Sequence, residues 1–224
     1  MLKIPACTVL VWCLTTSSAA AQDRPRLFAG AVAGLSTLSA DARSVISARD
    51  FAVSLYKPEN GPALNLLVGA NLHDYVAIQA NYIWNRNDLA LVAIDSAGVL
   101  PSVYEQRRHS SQHAVVGDFL VYFRPLPSHI RPYLSVGAGI VRLASRLDET
   151  THVRRGDPPG PEFAATRATL RVAVGLDLEI GRGWSVRYSF SESLSGNPIS
   201  DRLSPPGERN LANFQNLFGI VRAL

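Results

Sequence analysis

Residues 167–180 divide by parity into two sets, as the side chains of a pleated strand do. Ala168, Leu170, Val172, Val174, Leu176, Leu178 and Ile180 share one face, and Arg167, Thr169, Arg171, Ala173, Gly175, Asp177 and Glu179 share the other. A helix would scatter both sets around its circumference, so the stretch predicts a β-strand with one oily and one wet face. Its length suits a tilted strand that crosses a bilayer, for which about 9–11 residues suffice. A half-buried strand of a soluble sheet would show the same alternation. The choice therefore rests on how often the pattern recurs and what surrounds it.

It recurs along the whole chain. Leu27–Ser36 reads as a first strand, rich in Gly and Ala and only weakly alternating. A long polar connection over 39–61 follows, interrupted by the apolar run Phe51–Tyr56. Leu64, Leu66, Val68, Ala70 and Leu72 face one way on a second strand, opposite Asn65, Gly69 and Asn71. After a turn at His73-Asp74, Val76, Ile78, Ala80, Tyr82 and Trp84 oppose Ala77, Gln79, Asn81 and Asn85 on a third. Residues 88–111 read as a second long connection, although Leu89–Ile94 could prolong the third strand. Val115–Phe123 is the fourth strand, and Pro125, Pro127 and Pro132 bracket a short turn, since proline lacks a ladder donor. The fifth sets Leu134, Val136, Ala138 and Ile140 against Ser135, Gly137 and Gly139. A third long connection, 148–165, leads into the strand already described. Gly181-Arg182-Gly183 turns the chain into a seventh, where Trp184, Val186, Tyr188 and Phe190 alternate with Ser185, Arg187, Ser189 and Ser191. A fourth long connection, 195–209, precedes an eighth strand with Phe214, Phe218, Ile220 and Leu224 on one face.

The N-terminus bears on the compartment. Lys3, an apolar run from Ala6 to Leu14 and Ala19-Ala20-Ala21 have the layout of a secretory signal over 1–21, leaving a mature chain of 22–224. Both cysteines, Cys7 and Cys13, fall in the removed part, and Trp12 does not suit a lipoprotein cleavage site. The mature chain is expected to carry neither a disulfide nor a lipid anchor. No later run approaches the 18 or so apolar residues of a spanning helix, so a membrane reading requires a barrel. The net charge is +4 and the isoelectric point about 9.3, but basic and acidic residues are interspersed. With an export signal, that pattern speaks against nucleic acid as a partner and allows contact with lipopolysaccharide phosphates.

Alternation alone does not say whether the oily face meets lipid outside or a core inside, as in a lipocalin-like barrel. Three features favour lipid. Connections are long after odd strands and short after even ones, as when long loops lie at one membrane face and tight turns at the other. The wet face is rich in Gly, Ala and Ser, which suits a narrow lumen filled by side chains. Aromatic residues cluster near strand ends, with Tyr82 and Trp84 toward the loops and Tyr75, Phe123, Tyr133 and Trp184 toward the turns, as in interfacial girdles. The fold class is thus all-β, an eight-stranded antiparallel up-and-down transmembrane barrel.

With segments such as Arg131-Pro132-Tyr133-Leu134-Ser135-Val136-Gly137-Ala138-Gly139, the chain from Arg26 to Leu224 resembles the small eight-stranded outer-membrane barrels of Gram-negative bacteria, the OmpA/OmpX-type transmembrane domain. The resemblance implies a monomer in the cell outer membrane, in contact with outer-membrane lipid and lipopolysaccharide. It also implies insertion by the barrel assembly machinery, which typically reads a final aromatic residue, whereas this chain ends in Leu224 with Phe218 further back. No peptidoglycan-binding domain is expected after the barrel, so a tethering role is not carried over.

Candidate sites are few. His109 and His113 with Ser110 and Ser111 suggest a metal pair or a Ser/His site like those of lipid-A-modifying barrels, but their spacing suits a helix better than a loop and no acid lies nearby in sequence. Solvated loop residues are the favoured reading. Asp118, Arg167, Arg171, Asp177, Glu179 and Arg187 fall on the wet face, where they could line a pore or pair with one another; eight strands leave little free lumen, so pairing is favoured. Asp177 and Arg187 stand nearly equidistant from the Gly181–Gly183 turn and are expected to meet across strands. Gly137-Ala138-Gly139 is no phosphate loop, since no helix or Lys-Ser/Thr follows. No catalytic residue, cofactor or metal is assigned. The expected role is structural, envelope-stabilising or loop-mediated at the surface, with a lipid-modifying enzyme or a narrow porin-like channel as alternatives.

Overall fold

The computed structural model describes residues 27–39, 43–46, 51–58, 60–95, 102–154, 160–198 and 210–224. The signal over 1–21 and the start at Gln22 lie outside them. The strands are β1 (Leu27–Ser39), β2 (Arg43–Ile46), β3 (Phe51–Pro58), β4 (Gly61–His73), β5 (Val76–Asp95), β6 (Ser102–Tyr122), β7 (Ile130–Arg154), β8 (Glu162–Gly181), β9 (Trp184–Gly196) and β10 (Asn210–Ala223). Eight of them close a ring in which β1, β4, β5, β6, β7, β8, β9 and β10 each pair antiparallel with the next, and β10 returns to β1. Closure leaves no free edge where the eight strands run side by side, so the ladder groups there find partners within the sheet. Among the described residues no helix is long and apolar enough to cross a membrane.

The apolar set points outward. On β8, Leu170, Val172, Val174 and Leu176 are 63 %, 55 %, 44 % and 36 % exposed, whereas Arg171 and Ala173 between them are 3 % and 2 % exposed. The same inversion holds on β4, β5, β6, β7 and β10, where Val68, Ile78, Phe119, Val136 and Phe218 lie on the outer surface. The weakly alternating β1 obeys it too, with Phe28, Val32 and Ser36 buried and Leu27 and Leu35 outside. The core is therefore the barrel lumen, and much of it is polar.

Three expectations differ from the structure. Tyr133 does not join an outer girdle: it is buried in the lumen, where its ring lies 5.6 Å from that of Tyr122. Its odd number places it with Ser135 and Gly137 on the inward side of β7. Residues 88–95 and 102–111 are not a loop but a continuation of the β5–β6 ladder, which runs from Val76↔Val121 to Asp95↔Ser102. The parity carries on through it, so that Asn87, Leu89 and Leu91 remain inward, and Leu89 and Leu91 close on Leu38, Leu143 and Leu211 as an apolar cap. β7 likewise runs to Arg154, well into the segment read as the third connection. Beyond the end of β4, β5 pairs with β3 instead, from Pro58↔Leu89 to Ala52↔Asp95. One side of the barrel thus rises as a wall well above the other.

At the opposite end the connections are tight. Gly181, Arg182 and Gly183 have φ of 107°, 53° and 75°, a left-handed run that glycine adopts without steric cost. The chain turns between β4 and β5 in the two residues Asp74 and Tyr75.

Candidate functional site: a charged lumen and a groove on the outer wall

Inward parity brings buried charge together in two layers. In the lower one, the register Asp177↔Arg187 lets Arg187 donate from Nε to Asp177 Oδ1 and from Nη2 to Oδ2, both at 2.6 Å. Nη1 donates to Gln79 Oε1 at 2.6 Å, and Tyr122 Oη accepts from Nη2 while donating to Asp177, each at 3.1 Å. The Arg131 guanidinium lies 3.7 Å from the centre of the Tyr122 ring and donates to the Asp74 carbonyl. A bidentate pair whose remaining atoms are also bonded is the geometry in which a buried ion pair offsets its desolvation cost.

In the second layer Arg171 donates from Nη1 to Asp118, whose other near partner is Asn81 at 3.0 Å. Arg171 on β8 and Asp118 on β6 are separated by β7, where both register with Gly137. A Cβ on Gly137 would sit 1.9 Å from Asp118 Oδ1. The glycine is the gap through which the two charges meet. Asn65 and Gln79 extend this layer through Asn81.

A neutral layer follows, in which Asn213 donates to Asn85 and Gln112 while Ser36 bonds Asn213 and Asn87. Above it, Arg108 donates to Ser145, Gln106 and the Gly160 carbonyl. Among the described residues, two spaces within the lumen measure about 10 Å³ each, at the lower limit for one water molecule. A larger recess of about 260 Å³ opens at the tight-turn end, beside Arg131 and Tyr122.

Of the six wet-face charges read from the sequence, Asp118, Arg171, Asp177 and Arg187 form these pairs. Arg167 does not: it is exposed near the top of β8 and donates to the adjacent Thr166 carbonyl. Glu179 lies near the turn end, 3.6 Å from His129. Sequence reasoning missed Arg108 and the Asn213 layer because residues 88–111 were read as loop and the polar parity of β10 was not followed.

The histidines sit on a strand, not a loop. His109, Ser111 and His113 share the outer face of β6, while Ser110 points inward and is buried. His109 Nδ1 lies 2.5 Å from Asp88 and Nε2 lies 3.5 Å from Asp148, so the structure supplies the acids the local sequence lacks. Nδ1 is hydrogen-bonded to Asp88, while Nε2 is only at ion-pair distance from Asp148; the adjacent Ser110 is turned to the lumen, away from the ring. His113 Nδ1 is 2.8 Å from the Tyr82 hydroxyl. Among the described residues no group of three or more His, Cys, Asp or Glu is arranged to hold a metal.

Around these residues the outer wall is hollowed into a groove of about 720 Å³, with Ser111, Ala144 and Ala164 as its floor and Trp84, Arg86, His113 and Arg146 among its rim. The ladders place Arg86, Ser111, Ala144 and Ala164 in one row and Trp84, His113, Arg142 and Thr166 in the next.

A closed antiparallel barrel with aliphatic side chains outside and paired charge inside is a transmembrane β-barrel, because so large an apolar surface has no stable place in water. The chain belongs to the family described as the outer membrane protein beta-barrel domain, whose sequence pattern matches residues 6–211. It is accordingly a protein of the cell outer membrane. Neisserial surface protein A shares the fold, with a TM-score of 0.50 at 10 % identity over 88 % of this chain and 97 % of that one. OprG of Pseudomonas aeruginosa aligns with a TM-score of 0.47 at 12 % identity, over 88 % of this chain and 95 % of that one. The attachment invasion locus protein Ail of Yersinia pestis aligns with a TM-score of 0.47 at 10 % identity, over 88 % and 99 %. No curated protein sequence matches the chain.

Proposed function

We propose that this barrel is a non-conducting, non-catalytic envelope protein that stabilises the outer membrane and presents its tall β5–β8 wall at the cell surface. The observation that carries the reading is the crowded lumen: two layers of paired charge, a neutral amide layer and a leucine cap span the strands, two spaces among them measure about 10 Å³ each, and the wider recess of about 260 Å³ opens at the tight-turn end. An eight-stranded lumen just holds its own side chains, which supports a closed barrel. The wall adds a surface role, since β6 and β7 have 21 and 25 residues where about 9–11 cross a bilayer. The placing of Ser110 in the lumen, on the opposite face of β6 from His109 and His113, supports a non-catalytic outer face.

Planar-bilayer recording on the purified barrel tests it. The expected trace is flat, with no stepwise conductance above that of the lipid. Steady ohmic steps in the wild type that vanish on heat unfolding would overturn the closed-lumen reading.

A further inference from the structure

We infer that the recess at the tight-turn end of the lumen is a binding site for a small apolar monocarboxylate. The recess measures about 260 Å³. A cavity of about 150 Å³ already holds a benzene ring, so there is room for one ring, or a short chain, with a charged head. Its roof is the layer formed by Asp177, Arg187 and Tyr122, and the turn Leu126-Pro127-Ser128 lines its side. Phe28, Val221 and Ala223 give it an apolar wall from β1 and β10. A mostly apolar pocket with a few polar groups is the usual form of a small-molecule site.

The group that selects an anion is Arg131. It is only 7 % exposed, its Nη2 donates to the Asp74 carbonyl at 3.0 Å and its guanidinium lies over the Tyr122 ring, yet its Nε is buried with no acceptor. Arg131 has no ion pair among the described residues. Of the carboxylates in the same lining, Asp177 is held at both oxygens by Arg187, and Glu179 lies beside His129. A buried charge without a counter-ion is a costly arrangement, and a carboxylate oxygen on Nε would supply one. The Asn71 side-chain oxygen, in the same lining, is likewise buried without a partner. A half-turn of that amide exchanges it for an NH2 donor. The ligand is singly charged, because a dianion would be repelled by Asp177 and Glu179, and it has an apolar body, because a bare inorganic ion would leave the wall of Phe28 and Val221 uncovered.

The test uses the mature chain folded in neutral detergent, with empty micelles as the blank for partition. Conductance plays no part in it, so its outcome is separate from that of the bilayer recordings. Benzoate, benzyl alcohol, which has the same ring without the charge, and inorganic phosphate are titrated in and followed by calorimetry. Benzoate is expected to bind saturably and benzyl alcohol about tenfold more weakly or worse. Arg131→Gln should weaken benzoate by a similar factor and leave benzyl alcohol unchanged. Ala223→Leu fills the recess with Arg131 still in place, so it should weaken both, and it keeps the test decisive if Arg131→Gln does not fold. Arg146→Gln, on the outer wall, should change nothing. No saturable benzoate binding, or full binding by a heat-modifiable Ala223→Leu barrel, would overturn the site. Equal binding of benzyl alcohol, or full benzoate binding by a heat-modifiable Arg131→Gln barrel, would overturn the assignment to a carboxylate. Displacement of benzoate by phosphate at equal concentration would overturn the choice of an apolar monoanion.

Discussion

Arg187 is fully enclosed, yet its guanidinium meets a carboxylate, an amide oxygen and a phenol within hydrogen-bond reach, and its carbon faces the Tyr133 ring at 5.0 Å. Removing one partner of such a pair leaves a buried charge without a counter-ion and costs about 3–5 kcal/mol. Asp177→Asn and Arg187→Gln should each destabilise the barrel by that order, and the double variant by less than their sum, as measured by urea unfolding in lipid. Additive losses would show that the two do not couple. A finer test falls on Gly137, where Gly137→Val should separate Arg171 from Asp118 and destabilise the fold, while Ala138→Val, pointing outward into lipid, should not. The Asp177–Arg187 pair was legible in the sequence because the turn between them is short and symmetric. The Arg171–Asp118 pair was not, because it crosses an intervening strand at Gly137, a position that has no side chain.

At the scale of the strand, the outward and inward sets carry opposite chemistry and so fail in opposite ways. Leu176 lies on the outer face of β8 within its run of outward apolar residues from Leu170 to Ile180, and an arginine there would meet hydrocarbon. Leu176→Arg should cost about 2–4 kcal/mol in reversible unfolding from liposomes. Its neighbour Gly175 faces the lumen, where a Cβ would lie 2.3 Å from Tyr133 Cζ, so Gly175→Leu should lower stability by overpacking instead. Wild-type stability in both variants would contradict the face assignment. The strands with strict alternation, β8 and β9, could be read from sequence almost to the residue. The upper halves of β5, β6 and β7 were hidden because their outward residues are polar, among them Asp88, Arg107, His109 and Arg146. Polar side chains on both faces look like a loop, and only the persistent parity of Asn85, Asn87, Leu89 and Leu91 marks the strand.

For the molecule as a whole, even strand number and tight turns at one end place the ends of the ring, Leu27 and Ala223, beside those turns, and the account predicts that this end faces the periplasm. A membrane-impermeant maleimide on intact cells should label Arg107→Cys, high on the wall, and not Gly183→Cys; the reverse pattern would invert the orientation. The recessed groove was not legible, since its floor and rim come from four strands whose mutual register no single stretch reveals. The central claim, a barrel oily outside and closed inside, is tested most directly by nitroxide labels placed singly from Ala168 to Leu178. The chain's two cysteines both precede Leu14, so the scan needs no cysteine removed from the barrel. Even-numbered positions should relax with oxygen and not with a polar nickel reagent, and odd-numbered positions weakly with either. Strong contact of the even positions with the polar reagent would place that face in water, and the same at the odd positions would mean an open, water-filled lumen.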